Sequence, residues 1–200
     1  MKVIGITQRL ATQESYQERR EILALDWGKF FSKREILPIP LSYEIGIENY
    51  SLLLDGVILS GGNDLSFFSS DINSLLRDKY ESEVIEFCVK NHLPLLGVCR
   101  GAQMIAHYFG SSLEKCEGHI GEHSISWSNG GSERVNSFHH YKIVLLGAEL
   151  EYEAVSEDRG VEAFSHRSLP IYGIMWHPER EKKMTFSTKK ILDQFLKDRT

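Results

Sequence analysis

The sequence predicts an α/β fold: a single-domain, open, mostly parallel sheet with helices on both faces, plus an antiparallel β extension. Short apolar runs alternate with longer amphipathic stretches through the first half, the βαβα order that builds a parallel sheet. After Gly110 the rhythm changes to several short β segments in succession. The 200 residues contain no repeat, low-complexity stretch or linker, and suffice for one domain, 1–200, with a sizeable core.

The elements follow from local pattern. Val3-Ile4-Gly5-Ile6 is a buried strand. Residues 14–33 are expected to be a helix, with Ile22, Leu23, Leu25, Trp27, Phe30 and Phe31 on a broad apolar stripe. Ile36–Ile39 and Gly56–Leu59 are strands, the latter entered through Asp55. A helix over 74–91 buries Val84, Ile85, Phe87 and Cys88, and strand Leu93–Val98 follows. Helix 103–109 stops at Gly110, a natural C-terminal signal. Strands are expected at 124–127, 142–145, 152–155, 161–164 and 171–176, and a last helix at 182–197.

Composition excludes several classes. A formal charge of −5 gives no basic footprint for nucleic acid. No apolar run approaches the ~20 residues of a membrane span. No signal-peptide pattern surrounds VIGIT, and three cysteines form no disulfide framework. A cytoplasmic location is therefore expected.

In open α/β sheets the site lies at the carboxyl ends of the strands. Those ends carry Gln8-Arg9, Ser42-Tyr43, Ser60-Gly61-Gly62-Asn63-Asp64 and Cys99-Arg100. Gly97-Val98-Cys99-Arg100-Gly101, between an apolar strand and a helix, is the cysteine counterpart of the G-x-S-x-G nucleophile elbow. The helix start supplies N–H groups and positive potential that favour a thiolate. Met175-Trp176-His177-Pro178-Glu179 follows the last strand and offers a base, His177, with a carboxylate, Glu179, to orient it. The glycine pair after Leu59 permits a turn whose N–H groups face an oxyanion; taken alone it could equally be a loop capped by Asp64.

These motifs resemble the class I, or triad, glutamine amidotransferase superfamily and, within it, the free-standing γ-glutamyl hydrolases. LSGGND (59–64), GVCRGAQM (97–104), VNSFHH (135–140), GVEAF (160–164) and GIMWHPE (173–179) occur in the family's order. The resemblance implies a flavodoxin-like sheet, with Cys99 as nucleophile, His177 as base and acid, and Glu179 as its orienter. It implies an oxyanion hole from the backbone N–H groups of Gly62 and Arg100, with Gly61 and Asn63 beside it on the substrate side. Gln103 is expected to help hold the γ-glutamyl group, and Asn136-Ser137-Phe138 to meet its α-amino and α-carboxylate end. Tyr141 stands where relatives often carry glutamine. LALDWGKFF, LSYEIG, CRGAQMIAHYFGS and IYGIMWHPERE further resemble enzymes acting on a cytidine-diphosphate-linked γ-glutamyl phosphoramidate of capsule synthesis. For such a substrate Arg9 is the candidate phosphate ligand and Tyr43 the candidate base-stacking ring.

The expected partner is thus a small γ-glutamyl substrate, nucleotide-linked on the closer resemblance, with no metal or organic cofactor. Two alternatives stay open: the glutaminase subunit of a two-chain amidotransferase, served by a partner synthase, and an inactive scaffold. His119-Ile120-Gly121-Glu122-His123 matches a zinc-protease pattern, but that pattern needs a helix and Gly118 and Gly121 oppose one. His139 and His140 are read as turn or site-lining residues, Cys88 and Trp27 as core. The pairs Lys182-Lys183 and Lys189-Lys190 are read as solvated faces of the last helix.

Overall fold

The structure, a computed structural model, describes residues 1–197; the last three positions of the expected 1–200 domain lie outside the described residues. Its strands are β1 (Lys2–Ile6), β2 (Arg9–Gln13), β3 (Glu18–Ile22), β4 (Ile36–Pro40), β5 (Gly56–Leu59), β6 (Leu95–Val98), β7 (Ser112–Lys115), β8 (Ile120–Trp127), β9 (Ser132–Phe138), β10 (Tyr141–Leu145), β11 (Leu150–Ser156), β12 (Val161–His166) and β13 (Ile171–Ile174). Helices are α1 (Leu25–Ser32), α2 (Ile72–Asn91), α3 (Arg100–Tyr108) and α4 (Phe186–Phe195).

The main sheet runs β4-β1-β5-β6-β13-β12-β11-β8-β9, with β10 and β7 joined through β12. From β4 to β13 every neighbour is parallel, and from β12 outward every pairing is antiparallel. β5 and β6 are buried along their whole length, as a parallel strand covered on both faces must be. One apolar cluster (Val84, Ile85, Met104, Ile105) lies under α2 and α3. A second (Trp27, Phe31, Trp176, Phe195) lies under α1 and α4. Cys88 sits in the first and Trp27 in the second, stacked on Phe31 at 5.5 Å.

β5, β6 and β13 lie side by side in parallel, with Leu59 opposite Gly97 and Gly97 opposite Gly173. Chains leaving their carboxyl ends therefore emerge together. These exits are Ser60–Asn63, Cys99 and Met175–His177. The register is extended by Cys99 N–H donating to the carbonyl of Ile174 at 2.8 Å.

The expected helix over 14–33 is corrected. Its first half is the β2–β3 hairpin, turning through Gln17 at φ 56°, and only Leu25–Ser32 is helical. Every apolar residue of the proposed stripe lies at or after Ile22, so the charged ERREI segment has no face to bury as a helix. Asn63 binds the hairpin over the sheet edge, accepting from Leu10 N–H and donating to Leu10 C=O, both at 3.0 Å. The last helix starts at Phe186, capped by Thr185 accepting from Thr188 N–H, rather than at 182. Lys182 and Lys183 consequently lie in a loop, and Lys190 covers the Trp127 ring and pairs with Glu153 at 2.8 Å instead of facing solvent freely. Among the described residues no helix is long and apolar enough to cross a membrane.

Candidate active site

Cys99 occupies a tight strand-to-helix turn at φ 53°, ψ −109°, a conformation that costs a non-glycine residue about 1–3 kcal/mol. Its flanking glycines permit the turn. A Cβ on Gly97 would come within 2.6 Å of Ala102 N, and one on Gly101 within 2.0 Å of the Leu59 carbonyl oxygen. β6 and α3 thus approach more closely than any side chain allows, and the thiol is turned out at the sheet edge. α3 begins at Arg100, so the Arg100 N–H is one of the unpaired donors of the first helical turn.

His177 stands opposite. A Cβ on Gly61 would lie 2.9 Å from His177 Cε1 and 3.6 Å from Cys99 Cβ, which places Gly61 against both. His177 Nδ1 and Glu179 Oε1 are 2.7 Å apart in a buried pair. Pro178 opens the short 3₁₀ turn Pro178–Arg180 that brings the carboxylate back onto the ring. Burial opposes charge on His177, but interaction with Cys99 and then with Glu179 outweighs it, so its pKa is pushed up from 6.5 to about 9. A raised histidine contributes stability fully present below about 6.5 and lost as pH rises through about 9. The same imidazolium is the acid available to a leaving group. The rate of the first chemical step is therefore expected to hold below about pH 9 and fall above it. Glu179→Gln should move that fall to lower pH and slow turnover about 10²-fold, a check made by a pH series of kcat/KM.

The turn 60–63 carries Gly62 at φ 88° and Asn63 at φ 45°. The side chain that shapes it was not legible in the sequence. Arg77 of α2, fully buried, donates to the carbonyls of Ser60 (3.0 Å), Gly61 (3.2 Å) and Gly62 (2.7 Å), and to Asn63 Oδ1 (3.2 Å). With its carbonyls held inward, the loop can offer its N–H groups to the site. Arg77 pairs in turn with buried Glu81 at 2.8 Å, which also binds Thr7 Oγ1 and the Arg100 guanidinium, while Asp78 takes the other Arg100 nitrogen. Burial lowers the pKa of both arginines, that of Arg100 to about 9. The Arg100 side chain therefore points into this network and leaves only its backbone facing the thiol.

Of the expected substrate residues, several side chains are engaged elsewhere. Asn136 accepts from His177 N–H (2.8 Å) and donates to His177 C=O (2.9 Å), so it positions the base and its amide is not available to a ligand. Ser137 is buried and donates to the His119 carbonyl at 2.6 Å, on the face of β9 away from Asn136. Asn63 is occupied by Leu10 and Arg77. Gln103 is buried and donates to the carbonyl of Tyr141 at 2.9 Å, while the Tyr141 ring stacks on Phe68. Phe138 does reach the rim, its ring edge-on to His177 at 5.6 Å with Arg180 over it at 4.7 Å. Arg9 is exposed, its stem lies over Gly62, and its guanidinium makes no ion pair among the described residues. Tyr43 donates its hydroxyl to the Gln8 carbonyl and packs on Tyr80. It lines a cleft of about 540 Å³ with Arg19, Arg20 and Lys79.

Residues 20–198 match the family described as glutamine amidotransferase class-I. The chain belongs to this family. Among curated glutamine amidotransferase relatives it is 53% identical, over 89% of its length and 90% of theirs, to the gamma-glutamyl-CDP-amidate hydrolase of Campylobacter jejuni. It is 32% identical to the glutamine-hydrolyzing chain of the GMP synthase of Methanococcus aeolicus, over 63% of this chain and 65% of that one. Its fold matches the crystal structure of a glutamine amidotransferase from Thermotoga maritima with TM-score 0.67 and 21% identity, covering 95% of this chain and 79% of the other.

Proposed function

We propose that the chain is a cysteine-dependent γ-glutamyl hydrolase acting on γ-glutamyl-CDP-amidate, releasing L-glutamate and cytidine diphosphoramidate for capsular polysaccharide synthesis. The observation that carries the chemistry is the convergence of Cys99, His177 and Glu179 beside the 60–63 turn. The 53% identity to a hydrolase of that name carries the substrate.

The Cys99 thiolate attacks the γ-carbonyl, and the N–H groups of Gly62 and Arg100 hold the resulting oxyanion. The tetrahedral intermediate expels nitrogen, which takes the proton from His177, leaving a γ-glutamyl thioester on Cys99. Neutral His177 then removes a proton from water as it adds to the thioester, and glutamate departs as the thiolate reforms. The reaction so written uses no cofactor, and Glu179 keeps Nε2 aimed at the reacting atoms throughout.

Specificity comes from groups beyond the γ-glutamyl unit. Arg9, without an ion-pair partner among the described residues, lies beside the oxyanion turn and is placed to receive a phosphate in bidentate fashion. Binding energy from the nucleotide can align the carbonyl on Cys99, which free glutamine cannot do. The nucleotide substrate should be hydrolysed at least ~100-fold more efficiently than glutamine, about 2.7 kcal/mol in transition-state binding. Arg9→Ala should erode that preference while leaving the slow glutamine rate nearly unchanged. Parallel kcat/KM measurements on both substrates decide it, and equal efficiency would remove the nucleotide assignment.

The likeness to the glutamine-hydrolyzing chain of GMP synthase supports a second reading, a glutaminase that feeds ammonia to a synthase chain. Glutaminase activity that appears only on adding such a chain would select it.

A further inference from the structure

The HIGEH segment is not a helix, and the glycines that prevent one bring its histidines together. Gly118 at φ 79° and Gly121 at φ 114° bend the chain as it passes into β8. Residues four apart on a straight strand stand about 13 Å apart, yet the rings of His119 and His123 are 4.8 Å apart. β9, paired with β8, leads into His139, whose ring is 4.7 Å from that of His119. β12 adds Glu162, which is 1% exposed. Glu122, the acid of the sequence pattern, faces solvent beside Arg134 instead.

The donor atoms converge. One ligand atom from each of His119, His123, His139 and Glu162 lies within 4.8 Å of every other. Glu162 oxygens are 3.5 Å from His119 Nδ1, 3.2 Å from His123 Nε2 and 3.7 Å from His139 Nε2. These three nitrogens and both Glu162 oxygens are buried without a hydrogen-bond partner. Ligands about 2.0–2.1 Å from a tetrahedral zinc ion are separated by about 3.3–3.4 Å, within the spread seen here. The outer nitrogens of two histidines are oriented as metal ligands require. His119 Nε2 is 3.2 Å from Asp158 Oδ2, and Asp158 is itself held by Lys142, Ser156 and Gly160 N–H. His139 Nδ1 lies 3.9 Å from Cys116 Sγ. A cleft of about 340 Å³ lined by Gly118, His119, His123 and Asp158 gives access from solvent.

We propose that His119, His123, His139 and Glu162 form a structural site for a divalent transition metal ion, with zinc the ion that three imidazoles and one carboxylate in a closed four-ligand set fit best. Calcium and magnesium would ask for more oxygens. The site is distinct from the triad but braces it. The Glu162 carbonyl accepts from Met175 N–H at 2.8 Å, two residues before His177. The His119 carbonyl holds Ser137, whose neighbours Asn136 and Phe138 both meet His177. The ion would tie β8, β9 and β12 into one wall behind the base.

The test uses the whole chain, stripped with chelator and dialysed, then titrated with Zn²⁺ and separately with Co²⁺. Wild type and Cys99→Ala should each bind one zinc per chain. The thermal midpoint should rise by about 5 °C or more when free zinc is ~100 times its Kd. His123→Ala and His139→Ala, with folding checked by circular dichroism, should lose binding and the shift, while exposed Glu122→Ala keeps both. The Co²⁺ form of wild type should show tetrahedral d–d bands without a thiolate charge-transfer band, a readout that needs no variant. Binding below one equivalent, binding that survives both histidine changes, loss of binding in Cys99→Ala, or an octahedral or thiolate-ligated cobalt spectrum would overturn the proposal.

Discussion

Replacing Cys99 with alanine is expected to lower turnover of the γ-glutamyl substrate by about 10⁴-fold or more. The thiol is the only one of three at the sheet edge: Cys88 lies in the core between α2 and the sheet, and Cys116 sits beside His139. Nothing else at the edge can form the acyl intermediate, since Ser60 is buried and turned toward the loop backbone. His177→Ala should cost nearly as much, and the double variant little more than either single one, because nucleophile and base act as a unit. Cys99→Ser is the matched control. It keeps the shape of the elbow but loses the easily ionised sulfur, so it should be nearly as slow as alanine with an unchanged melting temperature. Single-turnover assays on all four proteins read this directly. Cys99→Ala turning over within tenfold of wild type would end the covalent mechanism.

The second large effect is expected at a residue that touches no substrate. Arg77→Leu removes every side-chain donor from the carbonyls of Ser60, Gly61 and Gly62 and leaves Glu81, fully buried, with one cationic partner instead of two. Breaking one partner out of a buried ion network costs about 3–5 kcal/mol, to be read as a lower urea midpoint. Activity of the still-folded fraction should drop by about 10²–10³, the loss typical of one oxyanion-hole donor, because the Gly62 N–H is no longer aimed. Arg77→Lys should fall between, since a single ammonium cannot span four acceptors that a guanidinium fork reaches. A Leu variant as stable and as active as wild type would show that the turn holds its shape without Arg77.

Legibility in the sequence followed locality. The elbow and the His-Pro-Glu turn are short contiguous segments whose glycines, apolar strand and proline already state their geometry, and the apolar runs before them announce the parallel sheet. Arg77 and Glu81, spaced i to i+4 on α2, read like an ordinary solvated helix pair. Their burial depends on Thr7 and Arg100, 74 and 19 residues from Glu81. The β2–β3 hairpin was hidden because its alternation is between charged residues and so carries no apolar period. Asn136 was visible as part of a motif, but only the pairing of β9 with β8 shows that its amide serves the backbone of His177. The cluster of His119, His123, His139 and Glu162 draws on three strands and on two glycine bends, which no spacing rule encodes.

The covalent role of Cys99 is tested most directly by labelling the wild-type chain with a γ-glutamyl electrophile and mapping the modified peptide. One equivalent should attach to Cys99, leave Cys88 and Cys116 untouched, abolish hydrolysis in proportion to labelling, and be blocked by saturating substrate. Full labelling of Cys99 with hydrolysis intact, or loss of activity through a label on another residue, would contradict the account.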